Sequence, residues 1–195
     1  VPALDLVAAL HPTPAVAGRL AAGAPAVIKP AEKTPLSCIA FAHLAHGAGV
    51  PPGMVNVVFG DAPAIGRVLS EHPAVRVLSF TGSTAVGRLL AAQAAPHLKR
   101  LALELGGNAP FVVFADADLD AAADHLIRNK FRCAGQTCVC ANRVLVEAGA
   151  EAAFVERVAP RVAALKVGHG LEPGVEVGPL IDRAAVEKVR RLVED

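Results

Sequence analysis

VRVLSFTGSTAVGRLL, residues 75–90, changes its period in the middle. Residues 75–81 are rich in Val, Leu, Phe and Thr, the composition of a strand, whereas Val86, Leu89 and Leu90 recur at helical spacing. Between them Gly82 breaks the strand, and Ser83 or Thr84 supplies a helix N-cap. A strand that turns through Gly-Ser straight into a helix is the repeating unit of an α/β fold with a parallel sheet.

The alternation continues outward in both directions. Strands are expected at 25–29, 54–59, 75–81, 98–105, 110–114 and 143–147. Thr34 is placed to cap, and Pro35 to open, a helix carrying apolar residues at Leu36, Ile39, Ala40 and Leu44 and stopping at Gly47 and Gly49. Asp61 followed by Pro63 starts the next helix in the same way. Asp118-Leu119-Asp120 opens another that runs toward Phe131, and the last two helices are expected near 150–165 and 183–194. The sequence has no internal repeat, and it reads as two pieces of α/β structure meeting near residues 105–110.

Composition narrows the function classes. With 195 residues, 53% hydrophobic content and a formal net charge of +1, the chain can bury a core and lacks the basic bias of a nucleic-acid-binding protein. Apolar stretches such as 86–95 are too short and interrupted to span a membrane, and the N-terminus lacks a signal-peptide pattern. The first residue is Val, so the true N-terminus is not fixed by this sequence. Three of the four cysteines fall within 133–140, which suggests reduced thiols and a cytoplasmic setting rather than a disulfide framework.

Chemistry concentrates at two places. Gly-Gln-Thr-Cys at 135–138 offers Cys138 as a nucleophile, and Leu-Glu-Leu-Gly-Gly at 103–107 offers Glu104 as a base. A thiolate attacks electrophilic carbon well, and the resulting covalent adduct needs a base to activate the water that releases it. Taken singly, a cysteine is more often a small core hydrophobe, and a Glu in a strand-like run is more often a solvated charge. Lys29 and Glu32 follow a strand, where ligand crevices form in doubly wound sheets, although a surface ion pair explains them equally well. The stretch from Phe80 to Gly87 opens a helix whose first N–H groups attract anions, and Gly82 and Gly87 permit close backbone approach. An ordinary capped helix is the plainer alternative. Gly60 precedes the neighbouring helix and is either a cofactor neighbour or a turn glycine.

With Lys29-Pro30-Ala31-Glu32, Phe80-Thr81-Gly82-Ser83-Thr84 and Glu104-Leu-Gly-Gly-Asn108, the segment from Lys130 to Arg143 resembles the aldehyde dehydrogenase family, nearest its succinate-semialdehyde branch. The resemblance covers roughly residues 15–195. It implies the later part of a Rossmann-like NAD(P)-binding domain over 1–106 and the first part of an α/β catalytic domain over 107–195, a middle slice of a longer protein.

The resemblance also implies roles. Cys138 would be the nucleophile and Glu104 the general base. Lys29 and Glu32 would meet the adenosine ribose, with Glu32 favouring NAD over NADP, and the Gly82-Ser83 turn would meet the pyrophosphate beside Gly60 and Gly87. Arg132 would grip the distal carboxylate of a small-molecule aldehyde, against the alternative of a cation at a helix C-terminus. Cys140 would be a redox partner of Cys138. The full-length protein would be a homo-oligomer.

Two family residues are not matched. Counting back from Lys29 places the family's oxyanion Asn at Leu6 and its second carboxylate-gripping Arg at Pro14. Loss of one oxyanion donor costs roughly 10² to 10³ in rate. A second reading therefore stands beside the enzyme: an inactive remnant that keeps nucleotide affinity or serves as an interaction module. Cys133 raises a zinc site with His125, but no Cys-x-x-Cys pair supports it, so no metal is expected; His43 and His46 read as surface residues.

Overall fold

The computed structural model of the protein describes residues 4–8, 18 and 20–195. It divides into two compact units, 1–105 and 106–195.

In the first unit the strands β1 (Leu4–Ala8), β2 (Ala26–Ile28), β3 (Val55–Val57), β4 (Val75–Thr81) and β5 (Arg100–Glu104) form one sheet. Every neighbouring pair is parallel, and the order is β3-β2-β1-β4-β5. This is a doubly wound order, and the chain reverses direction across the sheet between β1 and β4. Helix α1 (Leu36–Gly47) connects β2 to β3, α2 (Ala62–Glu71) connects β3 to β4, and α3 (Thr84–Ala94) connects β4 to β5.

The strand period of two sends alternate residues to opposite cores. Ala26 and Ile28 pack on Cys38 of α1 with Phe41, Val55 and Val57. Val27 instead joins Leu69, Val75, Leu78, Leu90 and Ala94, the core under α2 and α3.

The helix starts at Asp61 and Ser83 are those expected. Asp61 accepts from the backbone N–H of Ala64 at 3.3 Å with Pro63 in the first turn, and Ser83 Oγ accepts from Val86 N–H at 3.3 Å. Two expectations for α1 need correction. Pro35, not Thr34, stands at the N-cap of α1, with no side-chain cap. Leu36 and Leu44 of α1 are 76% and 69% exposed, because the helix turns Cys38 and Phe41 to the sheet instead. In α3 Val86, Leu89 and Leu90 share one face as expected, all three lining a cavity, and the buried positions are Gly87, Leu90 and Ala94.

One strand starts later than expected, and one strand is additional. Residues 95–97 form a 3-10 turn and Leu98 takes φ 50°, so β5 begins only at Arg100. β1 was not anticipated at all. Leu6 lies in its middle, paired with Val27 and Leu78, and Pro14 lies outside the described residues.

The second unit is built on β6 (Ala109–Val113) and β7 (Ala141–Val146), a parallel pair joined through α4 (Leu119–Lys130). Asp118 caps α4 by accepting from the N–H groups of Asp120 and Ala121, both at 3.0 Å. Helix α5 (Glu151–Ala164) packs on α4 around Phe154, Ala123, Leu126, Val113 and Ala141. Arg161 and Arg157 bridge the two helices to Asp120, at 2.9 and 3.1 Å, and Arg161 also reaches Asp124 at 2.7 Å. Helix α6 (Arg183–Glu194) ends the described chain.

Candidate active site

In a parallel sheet the carboxyl ends of all strands share one edge, and ligands bind outside that edge where the strand order reverses. Lys29 follows the end of β2, Gly60 follows β3, Gly82 and Ser83 follow β4, and Glu104 closes β5. The topology thus brings these residues to one edge of the first unit, from strands spread over 75 residues of sequence.

Lys29 Nζ lies 2.5 Å from Glu32 Oε1 and donates to the Pro30 carbonyl at 2.7 Å. That hydrogen bond from Lys29, above all, holds the Glu32 carboxyl below the usual carboxylate range. Gly60 has φ 144°, a conformation in which an L side chain is strained. The backbone N–H of Gly82 donates to the Glu104 carbonyl at 3.0 Å, which ties the turn before α3 to the end of β5. A Cβ on Gly82 would stand 2.5 Å from the Phe80 ring, so the turn is as tight as its side chains allow. Gly87 is buried under Leu105, and its missing side chain lets α3 pack closely on that residue.

Beside this edge a cavity of about 290 Å³ opens between α2 and α3. Its walls include Pro63, Ile65, Val86 and Leu89, with Lys29 and Phe80 at the sheet side. Gln93 also lines it, and the Gln93 carboxamide oxygen is buried without a hydrogen-bond partner among the described residues. Apolar walls with a few polar groups and an unpaired acceptor are the makings of a small-molecule site.

The nucleophile candidate lies in the second unit. After α4 the chain passes through a turn at 132–135 in which Cys133 and Ala134 both adopt left-handed conformations, φ 50° and 55°. Gln136 holds this turn from both ends of its amide: Nε2 donates to the Cys133 carbonyl at 3.0 Å, and Oε1 accepts from Ile181 N–H at 2.8 Å. Cys138 follows, exposed, and so are Cys133 and Arg132. Among the described residues Arg132 makes no ion pair.

Cys140 differs sharply from Cys138. It is fully buried, its Sγ 2.6 Å from Thr137 Oγ1 and 3.3 Å from the Asn129 carbonyl. Cys38 is buried in the first unit, where burial pushes its thiol up. Among the described residues no cluster of three His, Cys, Asp or Glu is placed to hold a metal. No described helix is long and apolar enough to cross a membrane.

Several contributors were not singled out in the sequence. Gly107 lies so close to Cys138 that a Cβ there would overlap the Cys138 carbonyl oxygen. Asn142 Nδ2 donates to the Gly107 carbonyl at 2.8 Å, and Asn129 binds the chain beyond Cys138. The Gly-Gly pair after Glu104 was the available signal for the first. The two asparagines gave none, since their partners are distant in sequence.

Known proteins resemble this chain over most of its length. The model of the aldehyde dehydrogenase family matches residues 7–195. A succinate-semialdehyde dehydrogenase [NADP(+)] of Escherichia coli is 54% identical over 176 residues, covering 90% of this chain and 36% of its own length. A glutarate-semialdehyde dehydrogenase of Pseudomonas putida is 53% identical over 176 residues, covering 90% of this chain and 37% of its own. The crystal structure of a succinate-semialdehyde dehydrogenase from Burkholderia pseudomallei superposes with a TM-score of 0.92 at 52% identity, covering 99% of this chain and 41% of that one. The chain therefore spans somewhat over a third of the length of its relatives, and it belongs to the aldehyde dehydrogenase family.

Proposed function

We propose that this chain carries the nucleophile, the general base and much of the cofactor site of an NAD-dependent enzyme that oxidises a carboxylated aldehyde, such as succinate semialdehyde, to the acid. The observation that carries the reading is Cys138, an exposed thiol in a segment pinned on both sides, within a chain of this family.

The residues fit a dinucleotide. The cavity between α2 and α3 has room for a purine nucleoside, being near the low end of small-molecule sites, roughly 300–1,000 Å³. Lys29 and Glu32 would meet the ribose hydroxyls, and the first N–H groups of α3 after Ser83 would receive an anion such as a pyrophosphate. A negatively charged Glu32 repels a 2'-phosphate, which favours NAD. Bound nicotinamide supplies a hydride acceptor.

The rest belongs to side chains of this protein. Cys138, as thiolate, adds to the aldehyde carbon, and its own backbone N–H donates to the oxyanion that forms. Once the carbon is at the acyl level, Glu104 takes a proton from water, and the hydroxide equivalent releases the acid and regenerates the thiolate. Arg132, exposed and without an acidic partner among the described residues, holds the distal carboxylate by paired charge-assisted bonds.

NADH formation from NAD and succinate semialdehyde, measured beside Cys138→Ala and Arg132→Ala, tests this. Turnover that vanishes in the first variant and shows a raised KM in the second is expected. Turnover that survives Cys138→Ala would end the thiol mechanism.

A further inference from the structure

Five consecutive residues, 137–141, surround the nucleophile candidate, and four of them are tied down by side-chain bonds. Asn129, in the last turn of α4, accounts for most of this. Its Oδ1 accepts from the backbone N–H of Ala141 at 2.7 Å, and its Nδ2 donates to the Val139 carbonyl at 3.4 Å. Its backbone carbonyl accepts from the Cys140 thiol at 3.3 Å, and that sulfur lies 2.6 Å from Thr137 Oγ1. Among the described residues of this segment, Cys138 alone makes no bond to the cluster.

One half-buried side chain on a helix thus fixes Val139 and Ala141, and the backbone carbonyl of the same residue meets the Cys140 thiol between them. Helix α4 is itself held by the core around Ala123 and Leu126, so the anchor is rigid. A nucleophile displaced by even an ångström loses much of its rate, and Cys138 lies between the turn at 132–135 and the start of β7, outside any regular strand or helix. Between these two anchors the Cys140 thiol turns inward onto the backbone carbonyls of Asn129 and Lys130, at 3.3 and 3.7 Å, which leaves Cys138 as the exposed member of the pair.

We propose that Asn129 is a positioning residue for Cys138, clamping the backbone of 139–141 so that the thiol and N–H of Cys138 are presented in one arrangement. The proposal rests on the reading of Cys138 as the nucleophile. It assigns Asn129 no contact with substrate.

Site-resolved alkylation with iodoacetamide, read by peptide mass spectrometry, tests it, with exposed Cys133 as the internal reference. In the native chain Cys138 is expected to react faster than Cys133, and buried Cys38 and Cys140 slowly. Asn129→Leu removes both amide bonds at similar size and should lower the Cys138-to-Cys133 ratio about tenfold. Asn129→Asp keeps the acceptor for Ala141 and should restore most of the ratio. An unchanged ratio in folded Asn129→Leu, or no rescue by Asn129→Asp, overturns the proposal. Where Asn129→Leu does not fold, Asn129→Ser shortens the side chain so that neither amide bond can form and should lower the same ratio; no change there overturns it equally. A native chain in which Cys138 reacts no faster than Cys133 would instead fail the nucleophile reading, and the clamp with it.

Discussion

Gly107 lies against the carbonyl oxygen of Cys138 with no space for a side chain between them. The Gly-Gly that follows Glu104 is therefore tied by packing to the backbone of the proposed nucleophile, and Asn142 holds Gly107 in place through its carbonyl.

Gly107→Ala should consequently damage both stability and chemistry. The added methyl meets backbone, which cannot rotate away, and overpacking of this kind costs about 1–3 kcal/mol. Urea unfolding should show a lowered midpoint, and alkylation of Cys138 should slow relative to Cys133. A variant with native stability and native Cys138 reactivity would mean that the two segments part easily.

Glu32 should set the choice of cofactor. Because Lys29 keeps its carboxyl ionised below the usual range, the charge is present throughout the neutral region. Two like charges about 4 Å apart in water repel by about 1 kcal/mol, so Glu32→Ser should tighten NADP binding roughly fivefold and change NAD binding less. Calorimetric titration with each nucleotide checks this, and an unmoved ratio would remove Glu32 from the cofactor site.

How far the sequence could be read depended on the range of the interactions. The caps at Asp61, Ser83 and Asp118 were legible because each bonds a backbone N–H within three residues. The face of α1 was not, since Leu36, Ile39, Cys38, Phe41 and Leu44 leave the helix apolar nearly all round, and only the sheet decides that Cys38 and Phe41 turn inward. β1 escaped notice because Leu4–Ala8 becomes a strand by pairing with β2 and β4, which lie about 20 and 70 residues away. Cys138 and Glu104 stood out by motif. The hold of Asn129 on Ala141 spans twelve residues and carries no signature of its own.

The bridge between α4 and α5 should give the second unit a pH signature. Arg161 first, then Arg157, hold the Asp120 carboxyl below its ordinary range by hydrogen bonding. A depressed folded-state pKa stabilises the fold above the unfolded value, near 3.9 for Asp, and the contribution is lost as pH falls through the lower folded value. Native and Asp120→Asn chains should therefore differ in urea midpoint at neutral pH and converge in acid. The gap should be small and shrink with salt, because the pair is exposed. A gap that widens in acid would reverse the sign of the argument.

The most direct test of the central claim is a single-turnover experiment on Glu104→Gln with NAD and succinate semialdehyde. If Cys138 is acylated and Glu104 drives its release, the variant should give a burst of NADH and then stall, with an acyl adduct found by mass spectrometry on the peptide bearing Cys138. An adduct on Cys133, or a burst without any adduct, would contradict the account.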